Sequence, residues 1–205
     1  TEFHELMNQI PNMHLEDVPV GKDESENQVM RTVGEKPEFD FAPKEHWELG
    51  EALDVIDMSR AAKVTGARFA YVKGPLALME FALVQFVLGL LTDEQKLAQI
   101  IASAGLSAPS TPFVPLVPPI FVKPSTMDRM ARLEPREERY YLPEDDLYLI
   151  GSAEHTIGSY HMDETLAERD LPIRYVAFSA ALRREAGSYG KDMKGILRLH
   201  QFDKI

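Results

Sequence analysis

Six side chains near the end of the chain stand at spacings that suit the binding of a nucleotide. Arg183 and Glu185 lie two positions apart, and Arg198, His200, Phe202 and Lys204 follow one another at intervals of two. Side chains two apart on an extended strand point to the same face. If the two faces coincide, they form a platform with two guanidinium groups, an aromatic ring and a carboxylate. A guanidinium fork matches phosphate oxygens in pairs. The Phe202 ring gives a purine a surface to stack on, worth roughly 1–3 kcal/mol per base, and Glu185 can accept a hydrogen bond from an exocyclic amine. A solvated hairpin whose charges pair with one another accounts for the same pattern equally well, because charged, alternating strands are common on protein surfaces.

The elements that would carry this platform are legible around it. Residues 173–185 are rich in β-branched and aromatic side chains until the charges begin, which reads as a strand. Residues 195–205 alternate and read as its partner. Between them, residues 186–194 hold Gly187, Ser188 and Gly190, the composition of a turn or open loop. The two strands are therefore expected to pair antiparallel, with Arg183 and Phe202 on one face within reach of a common ligand.

The run from Leu182 to Lys204 also carries a resemblance. Arg183-Arg184-Glu185-Ala186-Gly187-Ser188 and Arg198-Leu199-His200-Gln201-Phe202 resemble motif 2 of the class II aminoacyl-tRNA synthetases, in the form found in seryl-tRNA synthetases. Further segments extend the likeness over nearly all of the chain: residues 10–12 and 18–24, 49–51 and 61–69, and Gly151-Ser152-Ala153-Glu154. The last resembles the family's Thr-Ala-Glu serine-binding loop, with Ser152 in place of threonine. The hydroxyl is kept and the methyl lost. The apolar residues 75–105 followed by 113–119 resemble motif 1, with Pro118 at the motif's proline position.

The rest of the chain is consistent with a folded protein of modest size. Its 205 residues are 44% hydrophobic and 27% charged, enough for one domain or slightly more. It contains no cysteine, so disulfides and thiolate metal sites are excluded. A formal net charge of −11 argues against a non-specific nucleic-acid binder, although Lys and Arg outnumber acids after residue 181. Phe3, Leu6, Met7 and Ile10 have helical spacing that Pro11 ends, residues 22–27 read as a polar loop, and residues 47–65 read as helical with a break near Asp57. The apolar run 75–92 is interrupted by Glu80 and Gln85, which disfavours a membrane span. With residues 93–105 it reads as one long buried or interfacial helix. Glu154, His155, His161 and Asp163 have no standard metal-ligand spacing. Residues 187–192 lack the length and the Ser or Thr of a phosphate-binding P-loop.

The resemblance implies an α+β fold, a mainly antiparallel sheet flanked by helices. It places a partial catalytic domain at residues 46–205, with motif 1 at about 75–119 and motif 2 at about 173–205, behind a segment, 1–45, that follows the family's N-terminal arm. It implies a cytoplasmic enzyme that joins serine to ATP as an adenylate and passes it to tRNA-Ser, and a homodimer formed through 75–119. By the same resemblance Arg183 meets the α-phosphate and the serine carboxylate, with Arg184 and Arg198 near the phosphates. Glu185 meets the adenine amino group, Phe202 stacks on the base with Leu199 beside it, and Ser152, Ala153 and Glu154 face serine. Mg2+ would arrive with ATP, its protein ligand expected beyond residue 205, where motif 3 and a serine-binding glutamate are also expected. The 205 residues alone are accordingly expected to activate serine weakly or not at all. A non-catalytic, dimerising or nucleotide-binding relative of the synthetase core is the other reading. Loss of Arg183, Glu185 or Phe202 would mark it, and all three are present.

Overall fold

The computed structural model describes residues 2–11, 13–185 and 194–205. The chain divides into two units, Thr1–Pro43 and Lys44–Ile205. In the first, helix α1 spans Glu2–Asn8 and a single 3-10 turn, Glu24–Glu26, forms where a plain loop was expected. The Asp23 carboxylate explains that turn: it accepts from the Ser25 N–H at 2.9 Å, capping the turn's first donors. The Phe39 and Phe41 rings pack on each other, their centroids 5.2 Å apart.

The second unit opens with helix α2, His46–Ala52. The Glu45 N–H donates to Glu48 Oε2 at 2.9 Å, satisfying a free donor at the helix start. Strand β1, Ile56–Asp57, then packs Ile56 over Gly50, where any Cβ would collide with it. Asp57 ends the strand and caps α3, Met58–Val64, accepting from the Arg60 N–H at 2.8 Å. Strand β2, Tyr71–Val72, lies antiparallel to β1, with Ile56 opposite Val72.

Pro75 opens α4, Pro75–Leu91, at a first-turn position that needs no N–H. The single helix expected over 75–105 is not formed. Asp93 takes its side chain back to the Gln95 and Lys96 N–H groups, at 3.0 and 3.1 Å, and so starts a separate helix, α5, Glu94–Ser103. The two helices meet at 78°. None of the 17 residues of α4 is buried; Leu78, Phe81, Leu83 and Phe86 are 60–70% exposed. Among the described residues, no single helix is long and apolar enough to cross a membrane.

Strand β3, Val114–Leu116, pairs parallel with β7, Tyr175–Ala177, in register Val114 to Tyr175. A three-stranded antiparallel sheet follows: β4, Phe121–Val122, and β5, Tyr141–Leu142, flank β6, Leu147–Leu149. Helix α6, Pro124–Arg129, lies beside it and places Met127, fully buried, against Val122, Leu133, Tyr148 and Ile150. Strand β8, Ser179–Leu182, pairs antiparallel with β9, Gln201–Lys204. The Leu182 N–H donates to Ile150 O at 2.9 Å and the Phe178 N–H to Leu116 O at 3.2 Å, so single backbone bonds tie these ladders together. Helices packed beside mostly antiparallel ladders make this an α+β fold.

The strand pair is shorter than expected. Phe178 interrupts the first strand, and residues 195–200 turn and bend before β9 begins at Gln201. Gly195 is the reason at one end. Its φ is +77°, and the His46 ring lies where a Cβ would stand. The His46 Nε2 accepts from the Ile196 N–H at 3.0 Å, so the first turn of α2 holds this backbone out of the ladder. The loop expected over 186–194 falls, apart from Lys194, outside the described residues.

Candidate nucleotide and amino-acid site

The site is built on β8 and β9 and on the turn after β6. In the antiparallel register Ala181 faces Phe202, and the Arg183 N–H donates to His200 O at 2.9 Å. Opposite residues share a face, so Arg183 and Phe202 lie diagonally on one face. Arg183 Cζ stands 5.3 Å from the centre of the Phe202 ring, and Ala181, wholly buried, faces that ring with only a methyl group. The expectation that both side chains share a face holds, although Arg183 and Phe202 border different cavities.

A bond from the neighbouring turn fixes the Arg183 guanidinium. Its Nε donates to Gly151 O at 2.8 Å, which leaves the two terminal nitrogens for a ligand. Gly151 eases this approach, since an added Cβ would lie 3.3 Å from Arg183 Cγ and 3.4 Å from His155 Cε1 and would press on both side chains. The same turn carries Ser152 and Ala153, both buried, and Glu154 opens the four-residue helix α7, Glu154–Ile157. Lys204, at the end of β9, donates to Ser152 Oγ at 3.0 Å and to Glu154 Oε1 at 3.4 Å. The hydroxyl and carboxylate assigned to serine are thus held next to each other by one ammonium group.

Glu185 sits at a left-handed φ of +49°, which turns the chain out of β8. Its carboxylate lies 3.3 Å from Arg198 Nη1, and its carbonyl accepts from Arg68 Nη1 at 3.2 Å. Arg198 reaches Glu185 from the bend before β9 and not from a strand face. His200 faces the backbone: its Nδ1–H donates to Arg183 O at 2.9 Å, and its ring packs 5.4 Å from that of Phe69. Arg184 points away from Arg183, with its Nε on Arg139 O at 3.0 Å and its guanidinium over the Tyr140 ring at 5.1 Å. Leu199 lines an apolar cleft with Phe69, Ile196 and Phe202.

Ser152, Glu154, Arg183 and Glu185 line a cavity of about 290 Å3 together with four residues not singled out for it from the sequence: Arg132, Glu138, Arg139 and His155. His155 is 7% exposed, and its Nδ1 accepts from the Gly151 N–H at 3.2 Å. Burial, with Arg139, Arg183 and Arg132 nearby, holds its pKa down to about 4, so it is neutral at pH 7. Burial and the Arg183 charge also lower the pKa of Arg139, which is nonetheless a cation at pH 7. The other candidates weighed with His155 are engaged elsewhere. His161 bonds to Glu164 and to the Tyr175 hydroxyl, each at 2.7 Å, and Asp163 pairs with Arg129. Among the described residues no group of three or more His, Cys, Asp or Glu stands close enough to hold a metal ion.

An arginine fixed beside an aromatic ring, with a serine–glutamate pair at the other side, could hold a phosphate next to a stacked base. Residues 138–205 match the family model of the tRNA synthetase class II core domain (G, H, P, S and T). The chain is 46% identical over 202 residues to a serine–tRNA ligase of Clavibacter michiganensis, covering 98% of this chain and 43% of that protein. It is 45% identical over 197 residues to the one of Thermosipho africanus, covering 96% of this chain and 42% of that protein. The chain belongs to the seryl-tRNA synthetase family. Its fold superposes on seryl-tRNA synthetase from Pyrococcus horikoshii, solved in complex with ATP, with a TM-score of 0.81 and 32% identity, covering 99% of this chain and 46% of that one. The cytoplasmic serine–tRNA ligase of Naegleria fowleri, solved with AMP, gives 0.79 and 29%, with 99% and 45% covered. The chain therefore spans a little under half the length of the synthetases it matches.

Proposed function

We propose that the protein to which these residues belong is a serine–tRNA ligase, which condenses serine with ATP to seryl-adenylate and transfers the seryl group to tRNA-Ser. The observation that carries this reading is the placement of Arg183. One guanidinium is fixed by Gly151 O, lies against the Phe202 ring, and borders the cavity that Ser152 and Glu154 also line. In this reading the adenine rests on Phe202 beside Leu199 and offers its amino group to Glu185. The α-phosphate meets Arg183, with Arg198 near the phosphate chain, while Arg184, turned onto the Tyr140 ring, takes no part. The serine ammonium binds Glu154, and the Ser152 hydroxyl and the Ala153 backbone contact the rest of the amino acid.

Adenylate formation joins a serine carboxylate oxygen to the α-phosphorus while the bond to the β-phosphate oxygen breaks and pyrophosphate leaves. Both reactants are anionic, so the residues act by holding them in line and neutralising charge. Mg2+ accompanies the ATP phosphates and lowers their negative charge. Residues 46–205 form the catalytic part, and 1–45 lead into it. The bare apolar face of α4, with the β3 segment, pairs with a second copy to make a homodimer through 75–119. The enzyme works in the cytoplasm, where its tRNA is.

Serine-dependent exchange of labelled pyrophosphate into ATP tests the reading on the full natural chain. Exchange is expected with serine and not with threonine, alanine or glycine, and Arg183→Ala is expected to abolish it. Exchange driven by a different amino acid, or a fully active Arg183→Ala protein, refutes it.

A further inference from the structure

Strands β8 and β9 part just beyond their last ladder pair, Leu182 with Gln201. There Arg183 meets His200, and its N–H donates to His200 O at 2.9 Å. A regular antiparallel pair would return the second bond, from the His200 N–H to Arg183 O. Instead the His200 ring takes that carbonyl, Nδ1–H to Arg183 O at 2.9 Å, and the His200 N–H turns away to Arg68 O, also at 2.9 Å. On the other strand Glu185 leaves the ladder at a φ of +49°, and its carbonyl accepts from Arg68 Nη1 at 3.2 Å. One residue therefore holds both strands where they separate, its carbonyl on the β9 side and its guanidinium on the β8 side.

Arg68 comes from the connection between α3 and β2, far from either strand in sequence. Its own φ is +65°, a left-handed conformation that persists in a residue with a long side chain only where the surroundings impose it. Gly66, at a φ of +119°, turns the chain just before it, and Phe69 just after it packs its ring 5.4 Å from that of His200. The Glu185 carboxylate lies 3.3 Å from Arg198 Nη1. The group that receives the adenine amino group in the reading above is thus held twice, through its backbone by Arg68 and through its carboxylate by Arg198. A hydrogen bond weakens steeply as its angle drifts, so a carboxylate that is to select an amine needs the backbone beneath it fixed as well.

We propose that Arg68 is a positioning residue for nucleotide selection. By tying Glu185 O and the His200 N–H to one point, it aims the Glu185 carboxylate at the exocyclic amine of the base, so that the site prefers adenine to a purine with an oxygen in that place. Two acceptors facing each other leave both without a donor, which is the source of the preference. The part played by the amine rests on the serine ligase reading. The tie between the strands does not.

The test is calorimetric titration of the full natural chain with ATP and with inosine triphosphate, which carries an oxygen in place of the amine. Arg68→Met keeps the length of the side chain and loses its donors. It is expected to cut the preference for ATP roughly tenfold, about what one hydrogen bond from an amine to a carboxylate carries, with little change in affinity for inosine triphosphate. Arg68→Lys restores a donor and should recover part of the preference. Arg68→Gly suits the left-handed φ while removing the guanidinium, so it should fold if the methionine variant does not, and show the same loss. In a Glu185→Ala background, Arg68→Met is expected to cost nothing further, because a residue acting through Glu185 then has nothing to aim. A preference within twofold of the parent in both the methionine and glycine variants overturns the proposal. An equal loss of affinity for the two nucleotides also overturns it, since that marks Arg68 as a support for the fold alone. Absence of serine-dependent exchange in the parent, with an ATP preference that still falls in Arg68→Met, refutes the serine ligase reading and leaves the positioning role standing.

Discussion

Arg183 and His155 show how two side chains within reach of Gly151 divide the work. Arg183 is anchored through Nε and keeps its terminal nitrogens for a ligand, so in the proposed reading its truncation removes charge at the reacting phosphate, whereas Phe202 would only support the base. Phe202→Ala is therefore expected to raise the KM for ATP more than it lowers kcat, by an amount in keeping with one lost stacking contact, roughly 1–3 kcal/mol. Steady-state exchange kinetics separate the two. His155 makes a different prediction. Its pKa is held at about 4 by burial and by Arg139, Arg183 and Arg132, below the 6.5 of a free histidine. The unfolded chain binds the proton more readily, so stability is full above pH 6.5 and falls as pH drops from there toward 4. Thermal unfolding between pH 7 and pH 5 should lower the midpoint more in the parent than in His155→Gln, which keeps an acceptor for the Gly151 N–H but cannot take up a proton. Equal pH dependence in the two proteins would remove His155 from this account.

At the scale of elements, the helical pattern of 75–105 is cut by a residue whose side chain competes for backbone donors. Periodicity registers apolar positions, and Thr92 and Asp93 scarcely disturb it. The Asp93 carboxylate nonetheless caps α5, and the chain bends by 78° there. What remains, α4, is largely apolar and has no buried residue within residues 1–205, and in the proposed reading a second copy covers it. If the proposed homodimer forms through this helix, Leu83→Glu with Phe86→Glu, both at exposed positions, is expected to turn it into a monomer in analytical ultracentrifugation, with little change in the helical circular dichroism of the monomer. The two substitutions place charges where each apolar side chain would otherwise contribute about 1.5–3 kcal/mol on burial. A second element-scale prediction concerns the base of the motif 2 loop. Gly195→Ala forces a Cβ into the His46 ring at a φ of +77°. It should raise the KM for ATP by displacing the bend that carries Arg198, while Ala180→Ser on β8, away from that bend, should not.

For the whole molecule, the relatives are more than twice as long as this chain, and in the proposed reading further charge-neutralising groups come from outside residues 1–205. Each oxyanion-type contact commonly contributes roughly 2.7–4 kcal/mol to a transition state. The family's second ATP-binding arginine and its metal-binding carboxylate together amount to about four or more orders of magnitude in rate. Residues 1–205 alone should bind ATP yet exchange pyrophosphate at least that much more slowly than the full chain, as measured in the same assay. The overall charge of −11 matters less than its arrangement: the acidic excess lies elsewhere, while the cavity gathers arginines.

The sequence by itself determined the family, the α+β class, the strand pair and the face shared by Arg183 and Phe202. Each rests on local information: a contiguous motif, a period of two, and glycines that mark the turns. It also located Ser152 and Glu154, because the strand that delivers them is adjacent in the chain. Only the tertiary structure decided which distant groups complete the cavity. Arg132 and Arg139 stand in a charged stretch whose pattern fits any solvated surface, and His155 drew notice only as a metal ligand. They become part of the site because the β5–β6 ladder and β8 are tied side by side, through Leu182 to Ile150 and Arg184 to Glu138. The same holds for Lys204, whose contact with Ser152 spans 52 residues of sequence. Strand length was likewise set from a distance. Alternation continues through residues 195–200, but the His46 ring from α2 occupies the space beside Gly195 and turns that backbone away from its partner. Periodicity reports which way a side chain points, and packing between elements reports what it meets.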